Sequence, residues 1–287
     1  MKKIAVFMLF GQSNAVGHAM PMKDEDIINT PLKNVYGLNR ELNQSFDTKE
    51  LIFTGYTTHS MNLAETQDNT YSVANCLARR WQNAIDSGED LPNLYIIHIA
   101  IGSQGVYGMW NPKREKKLIP GKLGECDISM YPLAIHVLKL FNEFVKQNSL
   151  SPDYIGIHWR GGEQETCEPV SNLEGKLKET YLSIFGGMRE ALEYEAPIIL
   201  HRMPFEDVMM KNDPSGGNLV SMNYINALFE ELAKELPSTS IFDVRNAPFY
   251  DEKIWNRNIF RWDLIHYLGE TNDWVASEIL KGYKNNY

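Results

Sequence analysis

The chain has 287 residues and a formal net charge of −9, with 43% of its residues apolar and 23% charged. This composition is that of a globular protein with a sizeable core rather than of a disordered chain. The acidic balance argues against a general affinity for nucleic-acid phosphates or anionic membranes, because both require a basic surface.

Strand-like and helix-like segments alternate along the chain, which predicts a three-layer α/β/α sandwich with a central parallel sheet. Mostly apolar runs, typical of strands buried on both faces, lie at 3–9, 94–100, 154–159, 197–202 and 240–244. Runs with apolar residues three and four positions apart predict helices at 72–87, 131–147, 171–193, 221–236 and 270–283. No linker or repeat interrupts this pattern, so we expect one domain over residues 1–287.

The first predicted strand leads into Gly11-Gln12-Ser13-Asn14. A tight turn after a buried strand holds a serine hydroxyl clear of the sheet, where a nucleophile is needed. An ordinary polar turn is the simpler alternative, because Gly, Ser and Asn all favour turns. The apolar run at 4–10 resembles a signal peptide, but it has only seven residues, so we interpret it as the first core strand.

A second motif, Asp263-Leu264-Ile265-His266, precedes the last predicted helix. A serine hydroxyl is a weak nucleophile until an imidazole removes its proton, and a carboxylate must hold that imidazole in the right tautomer. Alone, the motif has a simpler explanation as polar residues at the start of a helix. Together with Ser13 it predicts a catalytic triad of Ser13, His266 and Asp263.

Four blocks carry a resemblance to a known family: Phe10-Gly11-Gln12-Ser13-Asn14, Ala100-Ile101-Gly102-Ser103-Gln104-Gly105, Trp159-Arg160-Gly161-Gly162-Glu163-Gln164-Glu165 and Asp263-Leu264-Ile265-His266. In order and spacing the chain resembles the SGNH (GDSL-like) hydrolases. Within them it is similar to the sialate O-acetylesterase-like and acetylxylan esterase branch, carbohydrate esterase family six. The resemblance extends from Phe7 to about Glu278.

The resemblance implies the flavodoxin-like SGNH hydrolase fold and a serine esterase that removes acetyl or other small acyl groups from a carbohydrate. Ser13 matches the family's nucleophile, and Asp263 and His266 match its Asp-x-x-His. The backbone N–H groups of Ser13 and Gly102 are then expected to bind the oxyanion. The side chains expected to contact substrate are those of Gln12, Asn14, Gln104 and Glu163.

One block departs from the family pattern. Gly161 stands where the branch has Gln, and Glu165 stands where it has Asp. A glycine has no side-chain donor, and the loss of one oxyanion donor costs on the order of 100-fold to 1000-fold in turnover. Gln164, Asn14 and Gln104 are the candidate replacements.

Glu163 lies in a Gly-Gly-Glu turn, where we expect it either to bind a sugar hydroxyl or to brace the nucleophile loop. A solvated turn acid is the simpler alternative. Four tryptophans fall near the predicted site loops, where indole faces suit sugar rings: Trp110, Trp159, Trp255 and Trp262. Trp159, at the end of a strand, is expected to fill the core instead.

Three functions remain open at this point. The first is the carbohydrate esterase just described, and the second is a related SGNH esterase or lipase acting on other small esters. The third is a carbohydrate-binding protein that keeps the fold but has lost catalysis. An intact Ser13, Asp263 and His266 argues against the third, whereas the glycine at position 161 favours it.

Neither a metal nor another cofactor is expected, because no His-x-x-x-His or Cys-x-x-Cys spacing occurs. Cys76, Cys126 and Cys167 form no disulfide framework, which favours a reduced, cytoplasmic location. No run approaches the roughly 20 apolar residues of a membrane span. The expected partner is therefore an acetylated carbohydrate, not a nucleic acid or a membrane, and the sequence leaves the oligomeric state open.

Overall fold

The computed structural model describes residues 1–17, 23–65, 70–121 and 125–285. Within these ranges the strands are β1 (Lys2–Gly11), β2 (Val35–Leu38), β3 (Phe53–Gly55), β4 (Asn93–Ala100), β5 (Leu118–Ile119), β6 (Asp127–Ile128), β7 (Leu150–Arg160), β8 (Ile198–His201) and β9 (Thr239–Phe242). β5 and β6 form a small separate ribbon, and the others form one sheet in the order β3-β2-β4-β1-β7-β8-β9. Neighbours in this sheet are parallel except for the edge pair β2 and β3.

The helices in the described ranges are α1 (Ser13–Val16), α2 (Arg40–Asn43), α3 (Val73–Asp86), α4 (Met130–Gln147), α5 (Val170–Leu173), α6 (Lys176–Leu192), α7 (Glu206–Asn212), α8 (Gly217–Glu235) and α9 (Gly269–Asn285). Two consecutive residues of β7 show that helices cover both faces of the sheet, because side chains alternate across a strand. His158 lines a cavity beside Ile279 of α9, whereas Trp159 packs against Tyr181 of α6. α3 packs on α9, and α4 packs on α6.

The centre of the sheet is apolar on both faces. In β1 every residue from Ile4 to Phe10 is fully buried, as expected for a parallel strand between two helical layers. α3 begins after Ser72, whose hydroxyl accepts a hydrogen bond from the Asn75 N–H at 3.2 Å and so caps the helix. Among the described helices, none has the length and apolar composition that a membrane crossing requires.

The predicted α/β/α sandwich is confirmed, and individual elements differ from the prediction. The short strands β2 and β3 extend the sheet beyond β4, and β3 is antiparallel, so the sheet is mostly rather than wholly parallel. The helix predicted at 171–193 is two helices, α5 and α6, because Gly175 between them has a left-handed φ of +74°. α7 has no counterpart in the sequence prediction, since seven residues are too few for a clear helical period.

Three central strands end at the same level. In the register of the sheet, Gly11 of β1 lies beside Ala100 of β4 on one side and beside Arg160 of β7 on the other. Ser13 follows the first of these strands, and Gly102 follows the second. Open parallel sheets bind ligands beyond the carboxyl ends of their strands, so this rim is where a functional site is expected.

Candidate active site

The turn that carries Ser13 depends on a glycine. Gly11 has a φ of +140°, and a Cβ at this position would overlap the Arg160 carbonyl oxygen of the neighbouring strand. The Gln12 N–H donates to that same oxygen at 2.8 Å. The chain then enters α1, whose first residue is the half-buried Ser13. The serine therefore lies at the rim rather than within the sheet.

A tight loop presents His266. Phe260 and Tyr267 form an antiparallel bridge at its base, and the Arg261 N–H donates to the His266 carbonyl oxygen at 2.9 Å. Leu264, near the tip, adopts a left-handed φ of +62°. These features close the loop around the Asp-x-x-His motif.

Within this loop Asp263 and His266 form a hydrogen-bonded pair. Asp263 Oδ2 lies 3.0 Å from His266 Nδ1, while Oδ1 accepts from the backbone N–H groups of His266 at 3.0 Å and Ile265 at 3.2 Å. Burial opposes ionisation, but these hydrogen bonds outweigh it and hold the pKa of Asp263 below its ordinary value. An ionised carboxylate can only accept hydrogen bonds, so Nδ1 carries the proton and Nε2 is the basic nitrogen of the neutral ring.

The Asn14 side chain joins the Ser13 turn to the His266 loop. Its Nδ2 donates to the Ile265 carbonyl oxygen at 3.0 Å, and its Oδ1 accepts from the Tyr267 N–H at 3.3 Å. The residue after Ser13 is therefore bonded to peptide groups on both sides of His266. The sequence predicts that Asn14 contacts the substrate. In the structure Asn14 is buried, and its side chain joins two segments of the protein.

Arg160 braces the same joint from inside. Its Nη1 donates to the Asn14 carbonyl oxygen and to Asn272 Oδ1, both at 2.9 Å, and its guanidinium lies 4.7 Å from the centroid of the Tyr267 ring. Burial lowers the pKa of Arg160, yet a guanidinium begins from so high a value that it remains charged. A buried cation thus links α1, the His266 loop and α9.

Glu163 and Gln12 differ in what they leave for a substrate. Glu163 Oε1 accepts from Asn14 Nδ2 at 3.0 Å, whereas Glu163 Oε2 is buried without a hydrogen-bond partner among the described residues. Gln12 is buried; its Oε1 accepts from the Gln164 N–H at 3.2 Å and its Nε2 donates to Glu165 Oε2 at 3.4 Å. Gln12 therefore braces the nucleophile turn, and Glu163 keeps one oxygen for a further donor.

The Gly102 N–H, the expected oxyanion donor, already has a partner. It donates to Glu65 Oε2 at 2.8 Å, and both residues are buried. Asn62 holds this segment against β4, because its side chain accepts from the Ala100 N–H at 2.9 Å and donates to the Ala100 carbonyl oxygen at 2.8 Å. A carboxylate of the protein thus occupies the donor that the sequence assigns to an oxyanion.

The three amides considered as replacements for the donor missing at Gly161 have different surroundings. Asn14 is buried and bonded as described. Gln164 is exposed, and Gln104 is half-buried on the loop that follows β4. The Gln104 amide oxygen lies close to Gly108, where a Cβ would crowd it. Gln104 is therefore the one of the three that is neither fully buried nor fully exposed.

The four tryptophans separate into two groups. Trp110 and Trp159 are fully buried and pack edge to face in the core, whereas Trp255 and Trp262 are 63% and 71% exposed. Arg261 lies beside the second of these, with its guanidinium 5.6 Å from the Trp262 ring centroid and its Nη1 3.6 Å from Asp263 Oδ2. The Arg261 guanidinium therefore lies close to both an exposed indole and the Asp263 carboxylate.

Three other histidines are buried and neutral. His98 Nε2 lies 3.0 Å from the Ala15 carbonyl oxygen and supports α1, while His158 Nδ1 lies 3.1 Å from His201 Nε2. Burial lowers the pKa of His98 and of His158 to about 3 and that of His201 well below its ordinary value. Within the described ranges no cluster of three or more His, Cys, Asp or Glu side chains is arranged to hold a metal ion.

Two cavities of the structure do not include the central groups of the rim. One of about 460 Å³ is lined by Arg261, Leu268 and Tyr71 among others, and one of about 640 Å³ lies between β7, β8, β9 and α9. Neither is lined by Ser13 or His266. The candidate site is therefore defined by converging side chains rather than by the depth of a cavity.

Sequence reasoning missed Arg160, Glu65 and Glu165 as contributors to the rim. A charged residue at the end of the otherwise apolar run before it is a usable signal for Arg160, because such a side chain requires buried partners. Glu165 is marked only by its departure from the resembled pattern. Nothing in the sequence around Glu65 marks its contact with Gly102.

No protein-family model matches the sequence, and the comparison with curated proteins gives no match. A solved protein from Arabidopsis thaliana aligns with 14% identity over 100% of this chain and 99% of its own, at a TM-score of 0.59. NanS aligns with 14% identity over 99% of this chain and 98% of its own, at a TM-score of 0.62. An acetyl xylan esterase from Geobacillus stearothermophilus aligns with 12% identity over 98% and 93%, at a TM-score of 0.43, too low to carry an argument. At these identities the likeness shows the α/β fold alone.

Proposed function

We propose that the protein is a serine esterase that hydrolyses acetyl or other small acyl esters of a carbohydrate. The observation that carries this proposal is the Asn14 joint, which bonds the residue after Ser13 to the peptide groups on both sides of His266. It supports a shared site for a hydroxyl, an imidazole and an ionised carboxylate. These are the three groups that acyl transfer to a serine requires.

In the proposed reaction, His266 Nε2 takes the proton of Ser13 while Ser13 Oγ attacks the ester carbonyl carbon. Asp263 holds the Nδ1 proton and stabilises the imidazolium. His266 then gives its proton to the leaving sugar oxygen, and the acyl group remains on Ser13. Water attacks this acyl-enzyme with His266 again as the base, which releases the acid and restores the serine. Such general-base action contributes roughly 100-fold to 10,000-fold.

The proposed oxyanion site uses the Ser13 N–H and the Gln104 side-chain amide. The Gly102 N–H becomes a third donor when Glu65 releases it, because Glu65 and the oxyanion compete for this one N–H. Gln104 takes this role in the proposal because the amides of Gln12 and Asn14 are used within the protein.

Two features support a carbohydrate as the alcohol part of the ester. Trp262 and Trp255 expose indole faces on the segment that leads to and includes the Asp263 motif, and such faces suit the apolar side of a sugar ring. Glu163 Oε2 lies buried with no partner among the described residues, and a sugar hydroxyl is a matching donor.

The test is acetate release from acetylated xylan oligosaccharides and from O-acetylated sialic acid, with the wild type and Ser13→Ala in parallel. We expect release by the wild type and none by the variant, with an unchanged circular dichroism spectrum. A variant that keeps near-normal activity would show that Ser13 is not the nucleophile. A series of aryl esters of increasing chain length separates an acetyl-selective pocket from an esterase for longer acyl groups.

A carbohydrate-binding protein without turnover is the second candidate. The bond between Gly102 and Glu65 favours it, as does the absence of a side-chain donor at Gly161. Binding of the same oligosaccharides without acetate release by the wild type would support this candidate over the esterase.

A further inference from the structure

Glu165 lies behind the rim and contacts all three of its loops. Its Oε1 accepts from the Val106 N–H at 2.6 Å, and its Oε2 accepts from Gln12 Nε2 at 3.4 Å. Gln12 follows β1, Val106 follows β4, and Glu165 itself follows β7. One carboxyl group, only 2% exposed, therefore connects the segments that leave the three central strands.

The loop after β4 is shaped to receive this carboxyl. A Cβ at Gly105 would overlap Glu165 Oε1, so only a glycine leaves room for the side chain where it stands. The next residue, Val106, turns its N–H onto the same oxygen. Close packing against Gly105 and the hydrogen bond from Val106 thus fix the position of Oε1.

We propose that Glu165 is a positioning residue that works in its ionised form, holding the nucleophile turn and the loop after β4 together for the reaction of Ser13. This inference rests on the proposed esterase function, because it assigns a role in that reaction. It concerns geometry at Gln12, the residue before Ser13, and not contact with the substrate.

The orientation of Gln12 explains why ionisation matters. Gln12 Oε1 accepts from the Gln164 N–H at 3.2 Å, so Gln12 Nε2 must face Glu165. When Glu165 Oε2 carries a proton, its O–H and the N–H of Gln12 Nε2 are both donors. The hydrogen bond between them is then lost. The nucleophile turn then loses one of its side-chain anchors.

The surroundings of Glu165 bring its ionisation into the neutral range. Glu163 on its own turn, Tyr107 on the loop after β4 and Tyr181 on α6 interact with it electrostatically, and none of these groups is a cation. Burial is the largest influence and raises the pKa of Glu165 to about 7, against an ordinary value of 4.5. Near pH 7, Glu165 is therefore divided between its protonated and ionised forms.

Stability and activity should respond to pH in opposite directions. Because the pKa of Glu165 is higher in the folded than in the unfolded chain, its contribution to stability is full below 4.5 and is lost as the pH rises through about 7. Activity should rise over the same range, because the ionised carboxyl holds Gln12. A carboxyl group that only stabilised the fold would change the stability with pH but would not change the activity.

The experiment compares the wild type with Glu165→Gln, whose amide imitates the protonated carboxyl. Glu168→Gln is the matched control, since Glu168 is exposed and its carboxylate accepts a hydrogen bond from Asn172 Nδ2 at 2.9 Å. Melting temperature, kcat and KM on an aryl acetate are measured from about pH 5 to about pH 9. We expect Glu165→Gln to lose about 10-fold to 100-fold in kcat at the alkaline end with little change in KM. Its melting temperature should fall less than that of the wild type as the pH rises, while Glu168→Gln follows the wild type.

Equal kcat and equal pH trends in Glu165→Gln and the wild type would overturn the inference and leave the esterase proposal standing. An inactive wild type would overturn the esterase proposal and this role with it. If Glu165→Gln does not fold, Gly105→Ala displaces the carboxyl by overlap with Glu165 Oε1. A similar loss of kcat there supports the inference, and wild-type kcat contradicts it.

Discussion

The two sides of the rim satisfy their polar groups in different ways. On the His266 side, the bonds hold the predicted catalytic groups in place: Asn14 joins the two segments, Arg160 braces the joint, and the Asp263 carboxylate holds the His266 ring. On the Gly102 side, the backbone donor meets the Glu65 carboxylate, and Gly161 supplies no side chain. On the first side the bonds hold the groups that the proposed chemistry uses, whereas on the second a carboxyl group of the protein occupies the expected oxyanion donor.

This difference has a physical reason. A general base is neutral before the reaction and can be held in its final position by ordinary hydrogen bonds. An oxyanion donor has no charge to bind until the transition state forms, and a buried N–H left without a partner costs about 1–3 kcal/mol. Glu65 removes that cost at Gly102. In the proposed reaction, Glu65 then competes with the oxyanion for the Gly102 N–H.

Asp263→Asn should break the His266 side most severely. An amide at this position no longer holds the Nδ1 proton as an ionised acceptor does, and the equivalent change in a well-studied triad lowers kcat about 10,000-fold while leaving the geometry intact. We expect a loss of about 1,000-fold to 10,000-fold in kcat, measured on an aryl acetate. A loss below about tenfold would mean that Asp263 does not orient the base.

Asn14→Ala should separate the Ser13 turn from the His266 loop. We expect about a 100-fold loss of kcat, because small displacements of reacting groups have effects of this size, together with a lower melting temperature. Asn43→Ala is the matched control: Asn43 is buried and bonds both peptide groups of Ile52, just before the edge strand β3. If the two variants lose stability alike and also keep the same kcat, Asn14 serves the fold and not the site.

Glu65→Gln sharpens the comparison on the Gly102 side. The amide keeps an acceptor for the Gly102 N–H but removes the negative charge that competes with an oxyanion. We expect kcat to increase about 3-fold to 10-fold, a fraction of the value of a full oxyanion donor. A decrease in kcat at unchanged melting temperature would instead show that the Glu65 charge supports the active arrangement.

Of these variants, Trp262→Ala should have the smallest effect on activity, and only with a carbohydrate substrate. We expect KM for an acetylated oligosaccharide to increase about 3-fold to 10-fold through the loss of ring contact, with no change on an aryl acetate. Tyr194→Ala is the control, since Tyr194 is 53% exposed and lies just before β8, at the opposite end of the sheet. An equal KM for both variants and the wild type would remove Trp262 from the substrate site.

Much of this molecule is readable from local pattern. β1 is apolar without interruption, and the Asp263 motif needs only a three-residue step for its carboxylate to reach the His266 ring. β2 and β3 escaped prediction because four and three residues carry too little periodicity. Glu65 meets Gly102 across 37 positions, and Gln12 meets Glu165 across 153, distances over which no local pattern acts.

By itself, the sequence determined the alternation of strands and helices, the turn at Ser13 and the pairing of Asp263 with His266, because hydrophobic period, glycine conformation and short-range hydrogen bonds are local properties. Only the tertiary structure decided which polar groups are buried and with what. The common level at which β1, β4 and β7 end brings their loops together, and close packing there makes Asn14 a joint, Arg160 a buried brace and Glu165 a carboxyl with a raised pKa. Desolvation depends on every neighbour of a group at once, and those neighbours come from distant parts of the chain.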